Sequence, residues 1–181
     1  MPRVIAGVAK GLQLATPERG TRPTLDRVRE ALFSILNTRL EGARFADLYA
    51  GSGANGIEAL SRGAAHCAFV DTNAQAIHTI GENLFHTKLE HKSRSYQLTL
   101  PNALGVVASK EPPFDIVFCD PPYTGAGYSD ILSQIIESKI LAKDGLVVIE
   151  HESKVVLPPS VGALQKRREA RYGRVGISFF A

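Results

Sequence analysis

Long apolar runs are missing from this 181-residue chain, and none approaches the roughly 18 residues that a membrane helix needs. The opening Met1-Pro2-Arg3-Val4-Ile5-Ala6-Gly7 holds no sustained apolar stretch that could serve as a signal peptide, so a cytoplasmic location without a membrane partner is expected. Cysteine is scarce too. Only Cys67 and Cys119 occur, without C-x-x-C spacing or a nearby histidine pattern, so no disulfide framework and no metal are expected. Internal repeats and low-complexity tracts are absent. What remains is the balance of an ordinary globular domain, 44% hydrophobic and 22% charged, at a length suited to one core.

The net charge of +3 is small, but its distribution is uneven. Residues 1–30 carry six Lys/Arg against three acids, and residues 161–181 carry five against one. The two ends total +7, and the middle, residues 31–160, totals −4. Basic ends on an acidic body suggest a polyanionic partner. The candidate contacts are Arg3, Lys10, Arg22, Arg27, Arg167 and Arg168.

Short apolar runs with strand character recur, each followed by a turn and a stretch of helical spacing, which is the pattern of an α/β protein with a parallel sheet. The clearest strands are expected at 44–49, 66–70, 114–119 and 146–150, and weaker ones at 95–99, 166–171 and 175–180. Tyr172-Gly173-Arg174 separates the last two closely enough for a hairpin, so the sheet should end on an antiparallel strand. Helices are expected at 25–40 behind Pro23-Thr24, and at 56–61, 74–85 and 129–139. Residues 1–22 are expected to form a basic arm with a hairpin near Ala9-Lys10-Gly11, and residues 23–181 one domain.

Residues 51–56 spell G-x-G-x-x-G after a strand and before a helix, and Asp71 closes the next strand twenty residues after Gly51. Such glycines let backbone approach a ligand, and a carboxylate on the second strand can accept ribose hydroxyls. Taken alone, this is a dinucleotide fingerprint. Asp47, four residues before the first glycine, would repel a pyrophosphate but suit a cationic amino acid moiety, and Glu58 near the helix start also does little for a diphosphate. The expected cofactor is therefore S-adenosylmethionine.

Asp120-Pro121-Pro122-Tyr123 follows directly on the apolar strand 114–119. The string resembles the catalytic tetrapeptide of methyltransferases acting on exocyclic or amide nitrogens. An aromatic amine is a poor nucleophile because its lone pair is delocalised, and two acceptors holding its hydrogens pull it toward tetrahedral geometry. The Asp120 carboxylate and the Pro121 carbonyl would be those acceptors, preorganised by the prolines. Tyr123 would stack on the base, worth about 1–3 kcal/mol. Asn102 and Ala103, after the third strand, fall where an adenine contact would, although such a position also suits a turn or helix cap.

With both motifs stated, the whole chain resembles the RsmD family of bacterial 16S ribosomal RNA guanine-N2 methyltransferases. The likeness extends to Arg3-Val4-Ile5-Ala6-Gly7, to the R-P-T-x-D-R-V-R-E-x-L-F string from Arg22 to Phe33, and to Glu58-Ala59-Leu60-Ser61-Arg62-Gly63. The resemblance implies a Rossmann-like class I methyltransferase fold, a seven-stranded mostly parallel sheet with an antiparallel last strand and helices on both faces. It implies that Asp47, Gly51 and Gly53 line the methionine end of the cofactor, Asp71 the ribose and Asn102 the adenine, with Ala50, Thr72 and Ala103 also at the cofactor. Arg22, Thr24, Arg27 and Glu30 would lie near the entrance. The implied partner is 16S rRNA in the small subunit or an assembly intermediate, met by a monomer. Asn73 departs from the acid common in relatives at that position.

Other readings stay open at this level. D-P-P-Y also serves DNA adenine-N6 methylation, although 181 residues leave no room for a recognition domain. A small-molecule or protein-glutamine methyltransferase, an NAD enzyme, and a noncatalytic RNA-binding assembly protein complete the set.

Overall fold

The structure, a computed structural model, describes residues 1–17, 26–122 and 127–181. Strands β1 (Arg44–Leu48), β2 (His66–Asp71), β3 (Ser93–Gln97), β4 (Phe114–Cys119), β5 (Leu141–Glu152), β6 (Ser160–Val161), β7 (Leu164–Tyr172) and β8 (Val175–Phe180) alternate in the first half with helices α1 (Asp26–Leu36), α2 (Ala54–Ser61), α3 (Ala74–Thr87), α4 (Leu104–Lys110) and α5 (Tyr128–Ser138). All strands join one sheet in the order β3-β2-β1-β4-β5-β8-β7-β6. Pairings from β3 through β5 are parallel, and β8 runs antiparallel to both β5 and β7. This is the Rossmann-like class I arrangement, with its direction of winding reversing between β1 and β4, where ligands of open α/β sheets bind.

Alternation along the strands divides the core. Phe45, Phe69, Ile116, Phe118, Val148 and Ile177 pack under α1, α2 and α3, whereas Ala46, Val70, Val117, Cys119, Ile149 and Phe180 pack under α4 and α5. On α1, the expected apolar spacing buries Val28, Leu32 and Leu36, with Phe33 beside them. The α3 helix begins where the Asn73 side chain accepts the Gln75 N–H at 2.8 Å.

The sheet has eight strands, one more than the seven expected: the addition is the two-residue edge strand β6, too short to show any period. The α4 helix was also not visible in the pattern, because only Leu104 and Val107 of its seven residues are buried. The α1 helix ends at Leu36, and Asn37–Arg39 continues as a 3-10 turn, shorter than the expected 25–40. Its expected start at Pro23-Thr24 lies outside the described residues. The β5 strand begins five residues early, past the exposed Lys143-Asp144 pair that broke the apolar run.

Residues 1–17 do not stand off as a separate arm. Arg3 bridges Gln13, and Val4, Ala9 and Leu14 enter the core shared with α1 to α3. The Glu58 carboxylate accepts the N–H groups of Ile5 at 2.7 Å and Ala6 at 3.1 Å, and Asn83 exchanges two hydrogen bonds with Ala15.

Candidate active site at the carboxyl ends of the strands

The parallel strands deliver four carboxylates to one end of the sheet. Asp47 is the fourth residue of β1, Asp71 ends β2, Asp120 follows β4, and Glu150 lies near the end of β5. Asp47 alternates with Ala46 and Leu48, and Asp71 with Val70, so both face the α1 to α3 side. The register pairs Cys119 with Ile149, so Asp120 and Glu150 are the next residues on adjacent strands and continue on that same face.

The glycine loop is built around two of these acids. Asp47, 1% exposed, accepts the Gly56 N–H at 2.8 Å and so fixes the start of α2. Asp71 accepts the Gly51 N–H at 2.9 Å through one oxygen and the Asn73 N–H at 2.9 Å through the other. Gly51 and Gly53 have φ of 55° and 75°, the left-handed region that glycine enters without steric cost. At Gly56 the need is close packing, since a Cβ would lie 2.7 Å from the Cys67 sulfur. Tyr49, just before the loop, holds φ 61° without being glycine, the kind of backbone strain that gathers at functional sites.

Burial pushes the Asp47 carboxyl up to about 8, the Gly56 N–H opposing it and the Asp71 charge adding to it. Burial, then the charges of Glu150 and Asp47, hold Asp120 well above the usual carboxylate range. Such a site favours a cation among the acids, because a positive ligand relieves both the desolvation and the mutual repulsion. The residues fit S-adenosylmethionine in three respects. The loop backbone is free to approach a ligand, Asn55 carries a buried Oδ1 with no hydrogen-bond partner among the described residues, and the acids suit a sulfonium and an ammonium.

The remaining expected site residues fall as follows. Ala50 is tied to β2 by its N–H to the Val70 carbonyl at 3.1 Å. Thr72 is exposed, and its hydroxyl lies 3.4 Å from that of Thr99, joining the ends of β2 and β3. Asn102 is exposed in the turn before α4, and Ala103 is the residue that caps that helix, without a side-chain cap bond. Pro121 is buried and Pro122 exposed beyond Asp120. Tyr123, Arg22 and Thr24 lie outside the described residues. Arg3, Lys10, Arg27, Arg167 and Arg168 are all exposed, and Arg3 lies 3.5 Å from Asp26. Cys119 is buried, its thiol pushed up by burial and then by Asp47 and Asp120.

Glu58 does not face the loop: it turns to the amino-terminal segment and to Arg62, 2.7 Å away, so it carries no weight against a diphosphate. One residue was missed. Glu150, 4% exposed, is the first charged side chain after the apolar run Leu146-Val147-Val148-Ile149, and that position at a strand's carboxyl end was the available signal. His151 beside it is fully buried, with Nδ1 2.9 Å from the Glu152 carbonyl and Nε2 2.9 Å from the Ser178 hydroxyl. A carbonyl can only accept, so Nδ1 carries the proton and Ser178 donates to Nε2.

No helix among the described residues is long and apolar enough to cross a membrane. No group of three or more His, Cys, Asp or Glu side chains that could hold a metal ion occurs among the described residues.

Residues 2–181 match the family described as conserved hypothetical protein 95. The chain is 41% identical over 179 residues to YlbH of Bacillus subtilis, covering 98% of this chain and 97% of that protein. It is 32% identical over 179 residues to ribosomal RNA small subunit methyltransferase D of Escherichia coli, covering 98% and 88%. Among solved structures, yhhF of Escherichia coli superposes with a TM-score of 0.84 at 31% identity, covering 98% of this chain and 96% of that one. Matched along nearly its whole length by sequence and by fold, the chain belongs to the conserved hypothetical protein 95 family, the RsmD family that its motifs resemble.

Proposed function

We propose that this protein transfers a methyl group from S-adenosylmethionine to the exocyclic N2 amine of a guanine in 16S rRNA, acting in the cytoplasm as a monomer on the small subunit or an assembly intermediate. The observation that carries this reading is the placement of Asp120-Pro121 at the end of β4, beside the glycine loop of β1 and on the face shared by Asp47 and Asp71. Support for rRNA as substrate comes from the Escherichia coli relative, whose name is ribosomal RNA small subunit methyltransferase D.

S-adenosylmethionine, when bound, supplies a methyl group on positively charged sulfur. Asp47, Ala50, Gly51 and Gly53 would hold its amino acid end, Asp71 and Thr72 its ribose, and Asn102 and Ala103 its adenine. The chain's own part is to position and polarise the acceptor. Asp120, ionised, takes one hydrogen of the target amine, and the Pro121 carbonyl takes the other. Fixed before the base arrives, the two acceptors lose little free energy to reorganisation as charge develops on nitrogen. Tyr123 stacks on the base. The ionised carboxylate is the stronger acceptor and the form that can take up the amine proton, so the raised Asp120 works best beside a cation or at higher pH. The base must leave its stack to reach these groups or already be splayed in a loop. Arg3, Lys10, Arg22 and Arg27 are the candidates for backbone contacts, and Arg167 and Arg168, lower on β7, for weaker ones.

The test is radiolabelled methyl transfer to small subunits lacking the modification, followed by nucleoside analysis. Label in N2-methylguanosine is expected. Label in N6-methyladenosine moves the chemistry to adenine, and no incorporation into any rRNA overturns the reading.

A further inference from the structure

The sheet register separates two groups of basic residues that are neighbours in sequence. Arg168 pairs with Phe179, Phe179 with Val148, and Val148 with Phe118, so Arg168 is level with a residue two positions before Asp120. Arg167 sits in the irregularity between Lys166 and Arg168. At about 3.3 Å per residue, Arg168 lies about 7 Å below the level of Asp120. Ala170 is instead level with Ile177 and Glu150, beside Asp120. Everything after Ala170 rises beyond the end of β4: Arg171 opposite Gly176 and His151, Tyr172 opposite Val175 and Glu152, then the turn at Gly173, φ 62°, and Arg174.

The chain leaving β5 comes up against this turn. The Ser153 N–H donates to the Arg174 carbonyl at 2.9 Å, which brings Lys154 alongside. Lys154, Arg171 and Arg174 are all exposed. Two acids stand nearby, Glu152 and Glu169. Glu169 holds Arg171 at 2.7 Å and Lys166 at 3.1 Å, and neither Lys154 nor Arg174 forms an ion pair among the described residues. Three bases, Lys154, Arg171 and Arg174, against Glu152 and Glu169 leave the tip positive. The half-buried Tyr172 packs against the core beneath, and Glu169 fixes the Arg171 guanidinium before a ligand arrives.

We infer that Lys154, Arg171 and Arg174 form a basic rim that binds RNA phosphates next to the target nucleotide. The inference rests on the rRNA reading above. Strands lie about 4.8 Å apart, so the tip of β7 and β8 stands roughly 10–15 Å from Asp120, at the same end of the sheet. A base drawn into the site leaves its sugar-phosphate backbone at the strand ends. The phosphates within that reach belong to the adjoining nucleotides, and Arg167 and Arg168, lower on β7, are less well placed for them. Phosphate contacts of this kind set position and orientation rather than sequence choice.

The test compares Lys154→Ala/Arg171→Ala/Arg174→Ala with Arg167→Ala/Arg168→Ala, using small subunits lacking the modification and a salt series. The rim variant should raise KM at least tenfold, with the loss on KM rather than kcat, and lower the salt slope by about one for each phosphate contact removed. The Arg167/Arg168 variant should change both much less. Lys154→Ala/Arg174→Ala, which leaves the Arg171–Glu169 pair intact, guards against a local folding defect and should show most of the effect. Equal or smaller effects from the rim variants overturn the inference. Wild-type protein that methylates no rRNA overturns the rRNA reading instead, and calorimetric titration with S-adenosylmethionine alone distinguishes that from an unfolded preparation.

Discussion

At the amino end of the sheet, Glu111 accepts from the Tyr96 hydroxyl at 2.8 Å and the Arg44 guanidinium at 2.6 Å, with His66 at 3.2 Å and Arg94 at 3.6 Å. At the carboxyl end, Asp47, Asp71 and Asp120 share a face with Glu150, and among the described residues none of those three aspartates is ion-paired to a base. Burial acts on both ends alike. It raises Glu111 too, but the bonds from Tyr96 and Arg44 outweigh it, and the carboxyl ends below its ordinary value. With no such partners, Asp47 and Asp120 stay raised. One end of the sheet has satisfied its charge within the protein. The other keeps an unmet demand for a cation, which is what a cofactor site with a sulfonium needs.

Four experiments probe that contrast. Glu111→Gln should have the largest effect on stability, a loss of about 1.5–3 kcal/mol, because Gln keeps an acceptor oxygen but not the charge that faces the partly buried Arg44. Its check is chemical denaturation, with S-adenosylmethionine affinity unchanged. Since Glu111 is lowered on folding, its contribution is complete above the usual 4.5 and disappears as pH falls through the lower folded value. A variant as stable as wild type breaks the comparison at this end.

Asp120→Ala should reduce methyl transfer by about 10²–10³-fold, the scale of losing one preorganised polar contact to the transition state. Filter binding should show RNA association retained. Full activity would remove Asp120 from the chemistry.

Asp47→Asn should act in the opposite sense to Glu111→Gln on stability. The folded carboxyl is raised to about 8, so stability falls as pH rises between the usual 3.8 and that value, and a neutral side chain avoids the loss. Asn keeps an oxygen for the Gly56 N–H. Thermal unfolding at pH 8 should rise by a few degrees, at about 2–4 °C per kcal/mol, while S-adenosylmethionine binds more weakly. A lower Tm at that pH means the acid is not under strain.

Glu150→Gln is the finest probe. Glu150 is the first charge, after burial, that raises Asp120, with Asp47 behind it. Removing it lets Asp120 ionise at lower pH, so the acidic limb of the pH–rate profile should move down. A lower rate with an unmoved limb would assign Glu150 a packing role only.

Much of this was legible before the fold was known. The glycine loop, Asp71 and D-P-P are local strings whose chemistry depends on few neighbours, and the strands that carry them are continuous apolar runs. Elements with little local signal were not legible: α4 buries two residues, β6 has two in all, and Lys143-Asp144 interrupts β5. Glu150 escaped notice because its role comes from Asp120, thirty residues away in sequence and adjacent only through strand pairing. Glu58 misled for the same reason, since its partners Ile5 and Ala6 lie more than fifty residues back.

The sequence by itself determined the α/β alternation, the family likeness, and the pairing of a glycine loop with a D-P-P-Y string, because hydrophobic period, backbone freedom and short-range chemistry are written in contiguous residues. The tertiary structure alone decided which acids share a face and which arginines reach the rim. Those depend on register: a shift of one residue turns a side chain to the other face, and a shift of three moves it about 10 Å along the strand. That register is settled by the packing of α1 to α5 and the amino-terminal segment against the two faces, which brings together residues from the whole length of the chain.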